Sequence, residues 1–166
     1  MTELDRVEGR ARFAVLIDGD NASPNQIKEM LEEVSRHGVP TVRRVYGDWT
    51  KEHMNGWSKV LHEFALQPIQ SVSFVAGKNS TDAAMMIDTM DLLYDGNVEA
   101  FCIISSDSDY TPLVLRLREA GKFVMVIGHK DRTANPLIRA SNLFVDPRNL
   151  DFQGHGHPPK KAAADG

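Results

Sequence analysis

Phe101-Cys102-Ile103-Ile104 is apolar at every position and runs straight into Ser105-Ser106-Asp107-Ser108-Asp109. A strand exposed on one face would alternate; a short run without a polar residue fits a strand covered on both faces, as in a parallel sheet. Phe13-Ala14-Val15-Leu16-Ile17 and Phe123-Val124-Met125-Val126-Ile127 repeat the pattern. Each run ends in polar loop residues and then helix-start chemistry, with Pro24, Pro112 and Pro136 near first-turn positions. Strands alternating with helices predict an α/β fold: a three-layer, doubly wound, mainly parallel sheet in a single domain. Crossovers are taken as right-handed.

The other elements are read from punctuation and period. Ser23 is expected to cap a helix with Gln26 closing a capping box, Ile27, Met30, Leu31 and Val34 facing inward, and Gly38 ending it. Thr41–Tyr46 and Ile69–Val75 read as strands. Trp57, Val60, Leu61 and Phe64 mark a helix, and Ala83, Met86, Ile87, Met90 and Leu93 the inward face of another. Thr111 is expected to cap the helix that buries Leu113, Val114 and Leu117. Asn135-Pro136 opens a short helix and Leu143-Phe144-Val145 is a last strand. Residues 1–11 read as a loose N-terminus, 12–148 as the domain and 149–166 as a tail or linker without core-forming residues.

Composition limits the function only coarsely. The chain has 166 residues and a formal net charge of −4, so no overall basic character points to nucleic acid. Cys102 is the one cysteine, which excludes an internal disulfide, and no apolar run approaches the ~20 residues of a membrane span. The expectation is a soluble, cytoplasmic protein with no membrane partner.

The loops at the strand ends are more telling. In a parallel sheet they all lie on one edge, where open α/β folds bind ligands. Asp18-Gly19-Asp20-Asn21 comes after the first strand, Asp48 after the second, Lys78 and Asp82 after the third, Asp107 and Asp109 after the fourth, His129 and Lys130 after the fifth. A strand order of 3-2-1-4-5 would set Asp18 and Asp107 across the crevice from each other. Singly, Asp82 could be a first-turn acid on a helix dipole, and Asp18 and Asp109 turn residues. Together they repel, and such a cluster persists mainly where a cation is bound. Oxygen ligands alone suit Mg²⁺ or Mn²⁺. Asn21 and Ser106 could add neutral oxygens. Asp48, Asp88 and Asp91 read as solvent-facing acids.

Ile17-Asp18-Gly19-Asp20-Asn21, Lys78-Asn79-Ser80-Thr81-Asp82 and Ile104-Ser105-Ser106-Asp107-Ser108-Asp109-Tyr110, in this order, resemble the motifs of the NYN domain, relatives of PIN-domain nucleases that include a bacterial LabA-like group. The resemblance spans roughly residues 12 to 148. It implies a PIN-like fold and a metal-dependent ribonuclease using Mg²⁺ or Mn²⁺. Asp18, Asp82, Asp107 and Asp109 match the acidic metal and catalytic positions. Asn21, Lys78 and Ser106 are the substrate-binding candidates, with Asp20, Ser105 and Lys130 behind them. The implied partner is RNA, single-stranded, and such domains often form homodimers. Arg43, Arg44, Lys51, His129, Lys130 and Arg132 are candidates to track the phosphate backbone, at most one of the two adjacent strand arginines facing it. Two alternatives stay open: a non-catalytic RNA-binding or scaffold NYN domain, and a haloacid-dehalogenase-like phosphatase with Asp18 as nucleophile.

Overall fold

The all-apolar runs form the middle of the molecule, every position along them buried except Phe123 at the start of its run. In the computed structural model, which describes residues 10–71, 75 and 80–152, they are three adjacent strands: β1 (Ala11–Asp18), β4 (Ala100–Ile104) and β5 (Phe123–Ile127). β2 (Gly38–Gly47), β3 (Gln67–Gln70) and β6 (Leu143–Val145) complete a six-stranded sheet in the order β3-β2-β1-β4-β5-β6. Every pairing is parallel. The order reverses between β1 and β4, whose carboxyl ends therefore open a crevice between loops that leave in opposite directions.

The period of two along each strand divides the core into two layers. Ala14, Leu16, Phe101, Ile103, Val124 and Val126 point to one face, under α3 (Thr81–Asp95), α4 (Thr111–Glu119) and α5 (Asn135–Ala140). Val15, Ile17, Cys102, Ile104, Met125 and Ile127 point to the other, where α1 (Ile27–Ser35) and α2 (Asn55–Val60) supply Ile27, Met30, Val34 and Trp57. Burial pushes the Cys102 thiol far above its ordinary range, so it behaves as a small apolar side chain. A last helix, α6 (Pro147–Phe152), lies beside α1. No helix among the described residues is long and apolar enough to cross a membrane.

Several local expectations change. β3 is Gln67–Gln70, so it begins two residues before the expected Ile69, in register with the end of β2 at Gly47; as an edge strand it tolerates Pro68, and residues 72–74 of the expected strand lie outside the described residues. The strand at 41–46 begins earlier, at Gly38, which opens β2 instead of closing α1. A Cβ at Gly38 would sit 2.3 Å from the Ala11 carbonyl oxygen. α3 is turned relative to the expected face. Thr81, Met85, Thr89, Leu92 and Leu93 are buried, while Ile87 is 67% exposed and Ala83 also faces out. Ser23 caps a short 3-10 turn, Pro24–Gln26, by accepting from the Asn25 amide. Thr111 is not a cap: a 3-10 turn, Ser108–Tyr110, precedes α4, and its capping residue is Asp107.

Candidate metal centre

Asp18 ends β1 with its side chain turned into the crevice, 4% exposed. One carboxylate oxygen accepts the Asp20 amide at 3.2 Å; the other accepts the Ser105 hydroxyl at 3.2 Å and the Tyr110 hydroxyl at 3.3 Å. Burial pushes its pKa up to about 6; the hydrogen bonds from Ser105 and Tyr110 work against that, and the nearby Asp20 charge adds to it. Tyr110 is driven upward in turn, first by burial, then by the fields of Asp18, Asp82 and Asp107. Its hydroxyl stays protonated and donates. With both oxygens engaged and almost no surface, Asp18 is held as a hydrogen-bond acceptor.

The turn after Asp18 is tight because Gly19 allows it. Its amide donates to the Tyr46 carbonyl at 2.8 Å, and its carbonyl accepts the Trp57 indole at 3.1 Å. A Cβ there would meet the Tyr46 oxygen and the Met54 methyl at 2.7 Å each. Asp20 is bonded to His53 Nε2 at 2.6 Å and to the Thr81 hydroxyl at 2.7 Å. Thr81 also shares a hydrogen bond with Ser71 at 3.1 Å. This chain ties the β1 loop to the first turn of α3. Asn21 accepts the Ser106 amide through its side-chain oxygen at 2.8 Å, tying the same loop to β4.

Beyond β4, Ser105 reaches both ways: its hydroxyl donates to Asp18 and accepts the Asp107 amide at 3.0 Å. Asp107 accepts the Asp109 amide at 2.9 Å, which folds the two acids into one turn. Asp82 projects from the first turn of α3. Asp82, Asp107 and Asp109 can each contribute a carboxylate oxygen such that these atoms lie within 4.8 Å of one another. In an octahedral site with ~2.1 Å bonds, opposite ligands are ~4.2 Å apart, so small side-chain movements suffice to hold one ion. None of the three makes a salt bridge among the described residues. An all-oxygen donor set without a basic partner fits a hard divalent cation.

Three of the four expected acids are thus brought together, and Asp18 lies beneath them as a buried anchor. Ser105, Ser106 and Asn21 bind the loops to one another. Lys130 is exposed, its amide donating to Asp146 at 2.9 Å. Lys78 lies outside the described residues. Arg43 and Arg44 do not reach the edge: Arg43 donates to the Pro40 and Phe64 carbonyls, and Arg44 pairs with Asp88 at 2.7 Å. Asp88 is correspondingly not a solvent acid, since it also accepts the Tyr46 hydroxyl at 2.5 Å. Asp48 accepts Thr50 and Gln70, which hold it down at about 2. Trp49 donates its indole to the Ile69 carbonyl, so it packs on the rim. The roles of Tyr110, His53 and Thr81 carried no sequence signal, because each depends on a partner far along the chain.

The NYN domain model matches residues 12–151. The chain belongs to the NYN domain family. This is a PIN-like nuclease family, and the three clustered aspartates fit a metal-binding nuclease site. An uncharacterized protein of Methanocaldococcus jannaschii is 28% identical over 126 residues, 73% of this chain and 49% of its own length, so the chain spans about half of that curated relative. A crystal structure of a protein of unknown function from Vibrio parahaemolyticus superposes with a TM-score of 0.68 at 17% identity, covering 82% of this chain and 93% of that one. That likeness shows the fold alone.

Proposed function

We propose that this NYN domain is a Mg²⁺- or Mn²⁺-dependent ribonuclease that hydrolyses phosphodiester bonds in single-stranded RNA. The observation that carries the reading is the convergence of Asp82, Asp107 and Asp109 at the switch point of the sheet. Asp82, Asp107 and Asp109 would hold an ion, which when bound would supply Lewis-acid charge to the phosphate and acidify water. The chain does the positioning. Asp18 fixes Ser105 and Tyr110 from below, and Ser105 fixes the Asp107 amide. Asp107 in turn orders Asp109. Asp20 sets the height of α3, and with it Asp82, through Thr81. A single strand suits an open edge without an overall basic surface, and its binding should weaken with salt.

The test is incubation of purified protein with mixed single-stranded RNA and Mn²⁺ beside an Asp107→Asn variant. Cleavage by the wild type and a loss of at least 100-fold in the variant are expected. Equal cleavage by both marks a contaminant and overturns the assignment. Binding without cleavage by either would make this an RNA-binding domain instead.

A further inference from the structure

Next to the carboxylates is an open cleft of ≈ 360 Å³, lined by Asn21, Ser106, Asp107, Ser108, Arg132 and Ala134. It shares Asp107 with the aspartate cluster, so an occupant lies beside any ion there. Its volume falls in the range of small-molecule sites and suits one nucleotide. We propose that this cleft seats a nucleotide flanking the scissile bond, with Arg132 as the clamp on its phosphate; this rests on the ribonuclease reading.

Arg132 differs from Arg44 and Arg148, the one in the sheet and the other close by in the chain. Arg44 is neutralised by Asp88, and Arg148 by Asp131 and Asp146. Arg132 has no carboxylate partner among the described residues; its guanidinium rests on His129 Nδ1. His129 is itself held, its amide donating to the Ser106 hydroxyl at 2.9 Å and its carbonyl accepting from Thr133 at 2.6 Å and from the Arg132 amide at 2.9 Å. Burial, then the charges of Arg132 and Arg148, push the imidazole pKa down, so the ring is neutral at pH 7 and its Nδ1 can accept. Gly128 allows this turn to press on the β4 loop: a Cβ there would lie 2.9 Å from the Ser105 carbonyl and the Ser106 hydroxyl. A guanidinium held this way is a pre-set fork for two phosphate oxygens. On the other wall, Asn21 Nδ2 and the Ser108 hydroxyl have no protein partner among the described residues and can meet a ribose hydroxyl.

The experiment measures binding of a labelled 12-nucleotide single-stranded RNA by fluorescence anisotropy in Ca²⁺, across a salt series, for wild type, Arg132→Ala and Arg132→Lys. Cleavage of the same RNA in Mn²⁺ is tracked on gels. Arg132→Ala should bind about tenfold more weakly, with a salt slope shallower by about 0.7. Arg132→Lys should recover the slope but not the full affinity, because a lysine keeps the charge and loses the fork. A merely structural role would leave the slope unchanged. If the wild type cleaves and Arg132→Ala keeps wild-type affinity and slope, the clamp falls and the ribonuclease reading stands. If Arg132→Ala loses affinity and slope but no protein cleaves, the phosphate contact stands and the nuclease reading falls.

Discussion

Asp18 is where the site costs the fold something. A carboxyl moved from an ordinary 3.8 to about 6 disfavours the folded, ionised form by about 3 kcal/mol. The folded acid binds its proton more tightly than the unfolded one. Its stabilising contribution is therefore full below pH ~4 and lost as the pH rises through about 6. In EDTA the wild type should be less stable at pH 8 than at pH 5 from this group alone, and Asp18→Asn should flatten that difference. The variant should be the more stable of the two at pH 8, with about 3 kcal/mol as the ceiling, while losing nuclease activity. Urea melts of both proteins at the two pH values check this. A variant that melts earlier than wild type at pH 8 would show that the hydrogen bonds from Ser105 and Tyr110 outweigh the buried charge.

At the scale of elements, the site depends on α3 and the β1 loop keeping their distance. Thr81 is 1% exposed and bonds Asp20, while its neighbour Asp82 is one of the clustered acids. Thr81→Val keeps the shape and removes the bond. Mn²⁺ affinity measured by calorimetry should drop 10–100-fold, as for other groups that orient metal ligands; unchanged affinity would mean that packing alone sets the helix. The elements also show what a sequence can and cannot reveal. β1, β4 and β5 are legible because both faces are buried and every residue obeys one rule. α3 is harder, since Ile87 and Ala83 are apolar yet face out, while Met86 and Met90 only half-bury against the core. The buried face contains Thr81 and Thr89, and Thr89 is satisfied locally by the Met85 carbonyl at 2.6 Å. Hydropathy cannot see a threonine whose hydroxyl is already bonded. The acids were legible as strand-end residues on one edge. Which three converge and which one lies beneath was not, because that depends on the Tyr110 and Ser105 hydroxyls reaching across 92 and 87 positions.

For the whole molecule, an ion held by the clustered acids would couple its binding to folding. Asp82 starts a helix on one side of the sheet's reversal, and Asp107 and Asp109 lie just past β4. They meet only in the folded chain, so an ion that bridges them binds the native state and not the unfolded one. At a free Mn²⁺ concentration 100 times the dissociation constant, that linkage stabilises the fold by about 2.7 kcal/mol. For a domain of this size the gain should raise Tm by roughly 5–10 °C. Asp107→Asn keeps the backbone turn, since its side-chain oxygen can still accept the Asp109 amide, but it withdraws a charged ligand. Its Tm in EDTA should equal or exceed that of the wild type, because one of three repelling charges is gone. Its response to Mn²⁺ should shrink to a small fraction of the wild-type shift. Thermal melts of both proteins over a Mn²⁺ series separate the two effects. Equal shifts in wild type and variant would place the ion elsewhere on the molecule and sink the three-aspartate centre.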